Sequence, residues 1–148
     1  MKSSAKLLMV VTIAVLVIGA GLLVSRQSAG PAVVVGDTRT LVEVADKPAE
    51  RELGLGNRDR LAPNQGMLFV FNNEDKHGFW MKNMRFSLDI IWIDANKKIA
   101  DITPNVVPES YPQVFLPPQP VRYVLEVNSG YASQHSFEIG DQVDLDIN

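Results

Sequence analysis

One short stretch is dense in groups able to do chemistry: "HGFWMKNMRFSLDIIWID", residues 77–94. Aromatic and methionine side chains alternate there with Lys82, Asn83, Asp89 and Asp94. On extended backbone, successive side chains point to opposite faces, so Phe79 and Met81 share one face and Trp80 and Lys82 the other. Likewise Asp89, Ile91 and Ile93 oppose Ile90, Trp92 and Asp94. Two arrangements are compatible with this pattern. In the first, residues 79–82 and 88–94 form a hairpin, and Lys82 and Asp89 make a partly buried structural ion pair, tolerated where both ends are hydrogen-bonded. In the second they belong to a cleft. Trp80 supplies a stacking face, Lys82 and Asn83 supply donors, Asp89 orients the lysine, and Arg58 offers a bidentate fork for a carboxylate. An aromatic face with a few directed polar groups suits a small polar ligand such as a sugar, a peptide end or a carboxylate. The ligand-binding candidates are therefore Arg58, Trp80, Lys82, Asn83 and Asp89, although Arg58 equally reads as a helix-end or surface charge.

Other chemistries find less support. His77 and His135 are the only histidines and stand in no metal-ligand spacing. No G-x-S-x-G occurs, and Ser136 beside His135 is adjacency in sequence, not a nucleophile with its base. Asp144 and Asp146 share a face with Gln142, but the glycine and glutamate spacing of a calcium loop is missing, so a solvated strand face is expected. No cofactor and no metal are implied, and the fold is expected to be metal-independent. There is no cysteine, which excludes disulfides, thiol nucleophiles and thiolate metal sites.

The 148 residues suit one ordinary domain. Residues 1–26 hold three basic residues (Lys2, Lys6, Arg26) and no acidic one, so the remainder carries 14 − 3 = 11 basic against 17 acidic side chains, a net charge of −6. That balance argues against nucleic acid as a partner and against adhesion to an anionic bilayer.

Residues 7–24, "LLMVVTIAVLVIGAGLLV", contain no charge. At ~1.5 Å per residue they make a helix of about 27 Å, near the hydrocarbon thickness of a bilayer. Lys2 and Lys6 precede the run, a bias that keeps the N-terminus cytoplasmic and sends the rest across the membrane. The expected organisation is a cytoplasmic n-region at 1–6, a transmembrane signal-anchor (or a signal peptide) at 7–24, a tether at 25–36 and a folded domain at 37–148. The small residues of "SRQSAGPA" keep cleavage, and hence secretion, open as the alternative to an inner-membrane protein with a periplasmic domain.

Within the domain, alternation or short apolar runs predict strands over 40–46, 66–71, 79–82, 88–94, 97–103, 122–127 and 141–147. "DKPAERELGLG" predicts one main helix, with Asp46 as cap, Pro48 in the first turn and Gly54 and Gly56 as stops. "NSGYASQH" reads as a further helical turn. Six of the nine prolines fall in residues 104–120, which predicts a stiff surface crossing in place of a central strand. Together these features predict an α+β domain with a small, antiparallel, barrel-like sheet of about seven strands.

Three segments resemble the DUF192 (UPF0127) family. "VADKPAERELGLGNRDRLAPNQGMLFVF" is similar to its E-R-x-x-G-L-M-x-R helix followed by G-M-L-F-V-F. "FWMKNMRFSLDIIWIDANKKI" is similar to its F-W-M-K-N-T-x-x-P-L-D-I block, and "RYVLEVNSG…IGDQV" to its Y-V-L-E-x-x-A-G…G-D ending. Gly56 replaces the usual methionine, Met84 the usual threonine and Ser87 the usual proline, and a cysteine frequent in the long loop is absent. The resemblance implies a small β-rich domain, often exported behind one hydrophobic segment, and supplies no activity. The expectation is thus a membrane-tethered, extracytoplasmic domain that binds a small polar or envelope ligand, or a partner protein, without catalysis. The alternatives are a hydrolase- or lyase-type enzyme using Lys82 and Asp89, and a structural envelope module. The oligomeric state is not encoded in any legible motif.

Overall fold

A computed structural model describes residues 30–147. The apolar segment 7–24 lies outside the described residues. Among those described, no helix is long and apolar enough to cross a membrane.

Seven strands form one sheet: β1 (Ala32–Val35), β2 (Thr38–Ala45), β3 (Gln65–Asp75), β4 (Leu88–Ile93), β5 (Ile99–Val106), β6 (Val121–Asn128) and β7 (Val143–Asp146), in the order β5-β4-β6-β3-β2-β1-β7. Two short helices, α1 (Pro48–Leu53) and α2 (Tyr131–Gln134), and a 3-10 turn at Pro108–Ser110 complete it. The two ends of the strand order come together. Lys98 bridges Gln142, Ile99 N–H donates to Asp141 O at 3.0 Å, and Val143 N–H donates to Lys97 O at 2.8 Å. The sheet therefore curls into a half-barrel, the barrel-like β domain expected.

Three expectations need correction. The sheet is not wholly antiparallel, because β2 and β3 run parallel. The chain leaves β2 at Ala45, turns through α1 and re-enters at Gln65, and a crossover of that length can return a strand in the same direction. The segment 79–82 is not a strand and forms no hairpin with 88–94. β4 is already flanked by β5 and β6, so it has no vacant edge, and Phe79 instead makes an isolated two-bond bridge with Phe115. The seventh strand is β1, residues that the sequence assigned to the end of the tether; it pairs with both β2 and β7.

In α1, Asp46 does not act as the cap. Lys47 occupies that position, and Glu50 reaches back to its N–H at 3.3 Å and its ammonium at 2.8 Å. Gly54 ends the helix at φ 52°, a left-handed conformation that glycine adopts without steric cost.

The sheet is covered on both faces, which is why all six residues of β4 are buried. On the inner face, Leu68, Ile91, Ile93, Leu125 and Val127 pack with Tyr131 and Phe137. On the outer face, Met67, Phe69, Ile90, Trp92 and Val124 pack beneath residues 55–61 and 79–81. Phe79 links this second layer edge-on, 4.8 Å from Phe69 and 5.5 Å from Trp92, contacts worth about 0.5–1.5 kcal/mol each beyond burial.

Candidate functional site

A cleft of about 270 Å³ opens on the outer face, between the end of α1, the outer side of β3 and the segment 77–84. Its apolar wall is built from Leu55, Phe69, Phe71, Phe79 and Met84. The alternation read from the sequence explains its shape even without a strand. Phe79 and Met81 turn inward and are buried, while Trp80 and Lys82 turn outward. Trp80 remains 48% exposed, so one indole surface stands at the mouth, with Lys82 Nζ 5.7 Å from its ring centre. On the opposite rim, Arg51 lies 5.2 Å from the Phe71 ring and donates to the Asp46 and Val70 carbonyls.

The floor holds Glu126. Its register on β6 places it opposite Met67 of β3 and Ile90 of β4, on the outer face and within the apolar layer. It is 5% exposed and forms no ion pair among the described residues. Burial alone pushes its carboxyl up to about 8, with no neighbouring charge or hydrogen bond contributing. No side-chain oxygen among the described residues is both sealed from solvent and unpartnered. The Glu126 carboxyl therefore keeps a narrow contact with the cleft, where as a neutral acid it offers one donor and one acceptor.

The structure brings together two of the sequence candidates and disperses three. Trp80 and Lys82 line this cleft. Asn83 lies next to it, in a shallower depression shared with Asn57 and Lys82. Its visible role is in the backbone: at φ 60° it turns the chain, and its carbonyl accepts the Asn57 N–H at 2.9 Å. Arg58 does make a bidentate carboxylate contact, but with Glu43, whose second oxygen lies 2.8 Å from Nη2. That hydrogen-bonded pairing holds the Glu43 carboxyl below its usual range and raises the Arg58 guanidinium.

Asp89 is removed from the cleft altogether, and the expected Lys82–Asp89 pair is not formed. Alternation on β4 puts Asp89 on the inner face, with Ile91, whereas Ile90 and Trp92 face the cleft layer. Asp89 is fully buried and accepts three backbone N–H groups, from Asn105 at 2.9 Å, Gly130 at 3.1 Å and Ala132 at 3.0 Å. It ties the end of β5 to the start of α2. The enzyme alternative built on Lys82 with Asp89 loses its second residue.

Sequence reasoning missed Glu126 as a site residue. The available signal was a lone acid inside "YVLEV", apolar on both sides, where a half-exposed strand would set charge against an alternating polar face. Both histidines are loop or turn residues, as expected: His77 stacks on Phe71 with ring centres 3.5 Å apart, and His135 follows α2 beside Tyr131. Asp144 and Asp146 are exposed strand residues, Asp146 paired with Arg39 at 2.9 Å. Among the described residues, no three His, Cys, Asp or Glu side chains cluster as metal ligands.

Comparison with known proteins places this geometry in a group. The DUF192 family profile, described as an uncharacterized ACR, matches residues 32–145. A UPF0127 protein of Pyrococcus abyssi is 29% identical over 108 residues, covering 70% of this chain and 84% of that one. Its counterpart in Pyrococcus furiosus is 28% identical over 113 residues, covering 73% and 89%. Among solved structures, a Sinorhizobium meliloti protein described as a candidate transcription regulator superposes with a TM-score of 0.72 at 33% identity, covering 78% of this chain and 91% of that one. A protein of unknown function from Novosphingobium aromaticivorans superposes with a TM-score of 0.72 at 32% identity, covering 77% and 83%.

Proposed function

Because the chain belongs to the DUF192 family, whose description names no activity, we propose its function from the cleft: it binds a small ligand there without transforming it. The observation that carries this reading is Glu126. A buried carboxyl with no partner is destabilising, so a fold that keeps one at the base of an accessible cleft keeps it for something that enters the cleft. Trp80 supplies a stacking surface at the mouth, and Lys82 supplies a cation with no carboxylate partner among the described residues. A cleft of about 270 Å³ is below the common range for drug-sized ligands, which points to a molecule of fragment size.

A second reading shares that observation. A carboxyl that titrates near neutrality is suited to proton transfer, so an acid–base enzyme of the hydrolase or lyase type would use Glu126 with Lys82, not Asp89. Binding is favoured, since the cleft's one other carboxyl, Glu52, stands exposed on the rim and the cleft lining has no Ser, Thr or Cys side chain.

The transcription-regulator description of the Sinorhizobium structure is not carried to this chain, whose residues 27–148 have a net charge of −6 and lack a cationic stripe. The setting we propose is extracytoplasmic, with residues 7–24 as the inner-membrane anchor; β1 begins eight residues after that segment ends (32 − 24), which would hold the domain close to the bilayer.

Backbone amide shift mapping with a collection of small fragments tests the binding reading. Ligands are expected to move amides of residues 54–56, 77–84 and 125–127 together. A collection in which no compound moves these amides as a group would refute it.

A further inference from the structure

Resting on the binding reading, the charge of the ligand can also be assigned. We propose that the cleft takes a small organic monoanion with a flat apolar body, its anionic head beside Lys82 at the mouth and an acceptor oxygen at its inner end on the Glu126 carboxyl.

Five titratable groups face the cleft from the elements around it: Arg51 and Glu52 from α1, His77 and Lys82 from the covering segment, and Glu126 from β6. The strands flanking Glu126 present only Met67 and Ile90 to it. With Glu126 neutral, the balance of Lys, Arg and carboxylate charge is positive: Arg51 and Lys82 against Glu52. This stands out in a domain whose overall charge is −6. The local field thus favours an anion where the rest of the surface repels one. Lys82 offers a single point charge, not a fork, and Arg51 is held by two backbone carbonyls, which suits one charge better than a phosphate's two.

The opposite assignment, a cation held on aromatic faces with Glu126 as counter-ion, meets two obstacles. Each outward ring already has a basic side chain beside it, Lys82 near Trp80 and Arg51 near Phe71, which also stacks with His77. Phe79 packs edge-on to Phe69 and Trp92 and is largely buried. An incoming ammonium would therefore meet a like charge at each outward ring. A flat carboxylate is drawn to those cations instead, and its body can lie against the exposed indole of Trp80 and against Met84 while its head stays in the mouth. At the volume that water occupies in the liquid, the space corresponds to about nine waters, enough for a single substituted ring.

The inner contact carries a pH signature. The neutral Glu126 acid donates to the ligand, whereas its carboxylate repels any acceptor. Binding therefore holds below about pH 8, the value to which burial pushes Glu126, and weakens about tenfold per unit above it. Glutamine keeps a donor and cannot ionise. Glu126→Gln is expected to retain affinity within a few fold and to lose the alkaline decline.

The test is a binding titration of the full chain in detergent with three size-matched probes whose inner oxygen accepts but cannot donate, 4-methoxybenzoate, 4-methoxybenzamide and 4-methoxybenzylamine, followed by amide shifts from about pH 6 to about pH 9. The proposal expects the carboxylate to bind best, to weaken about tenfold in Lys82→Met while the neutral amide is unchanged, and to fall off above about pH 8 in wild type but not in Glu126→Gln. Preferential binding of the amine, or equal binding of all three probes, would overturn the anion assignment and leave the cleft reading standing. If none of the three probes moves the cleft amides while other fragments do, the anion assignment falls and the cleft reading stands; if no fragment of any kind moves them, the cleft reading falls as well.

Discussion

Asp89 and Glu126 lie on neighbouring strands and are buried on opposite faces of one sheet. Asp89 pairs across the ladder with Val127, the residue after Glu126, and Ile90 pairs with Glu126 itself. The two acids differ in what surrounds them. Asp89 accepts three backbone N–H groups and joins β5 to α2. Glu126 has neither a hydrogen-bonding side chain nor a cation, and contacts the cleft. A carboxylate satisfied by several N–H donors is a structural device, whereas an unsatisfied buried acid is a destabilising element kept at a cavity. The two therefore predict opposite responses to mutation.

Removing the charge of Glu126 should stabilise the protein. Its folded-state value near 8 stands above the ordinary 4.5, so between those values the native protein holds a proton that the unfolded chain has released. Stability then falls with rising pH across that window, by about 1.4 kcal/mol per unit, and levels off above it. Glu126→Gln cannot ionise in either state. It should match wild type near pH 4.5 and exceed it by roughly 3–5 kcal/mol near pH 8. Urea titrations at the two pH values decide this, and equal stabilities at both would show that Glu126 ionises in the native state without penalty.

Asp89→Ala should do the reverse. It leaves the N–H groups of Asn105, Gly130 and Ala132 without their acceptor, at an expected cost of roughly 3–5 kcal/mol. Lys82→Met touches no such network and should melt within about 0.5 kcal/mol of wild type. The double variant with Asp89→Leu should then show no coupling beyond about 0.5 kcal/mol. Recovery of the single-variant loss in the double variant would mean that the two side chains interact after all.

Much of this molecule is legible in its sequence for a simple reason: alternation reports burial regardless of what pairs with what. Phe79 and Met81 inward, Trp80 and Lys82 outward, follows from spacing alone and survives although the segment joins no ladder. The Lys82–Asp89 pair failed because it also required a hairpin, and β4 had both edges occupied by strands from further along the chain. Glu126 was visible as a motif letter but not as a floor. Its role depends on Met67 and Ile90 standing opposite it, and that register joins three segments distant in sequence. Arg58 shows the same limit, since its bidentate chemistry was readable and its partner, Glu43, was not.

Gly66 sets how closely β3 approaches β6 beneath the cleft. A Cβ there would stand 2.7 Å from the Glu126 carbonyl oxygen and 3.0 Å from Val127 Cγ1, so a backbone atom blocks it and no side-chain rotation relieves the clash. Gly66→Ala should cost about 1–3 kcal/mol, the usual range for overpacking. Denaturant titration measures it, and a loss below about 0.5 kcal/mol would show that the two strands separate easily at this point.

The last prediction concerns where the cleft faces. Residues 7–24 are uncharged, with two lysines before them and one arginine after, a distribution that orients the N-terminus toward the cytoplasm. The domain from β1 onward would then stand outside the inner membrane, within eight residues of it. Protease added to intact spheroplasts is expected to digest residues 27–148, apart from whatever the folded domain itself resists, and a version carrying the destabilising Asp89→Ala should remove that resistance. Full protection of both forms, released only by lysing the cells, would place the domain in the cytoplasm and overturn the assignment. N-terminal sequencing of the membrane-bound protein separates the remaining two outcomes. A chain beginning at Met1 retains its anchor, and one beginning near residue 30 has been cut within "SRQSAGPA", which would give a released domain with the same cleft.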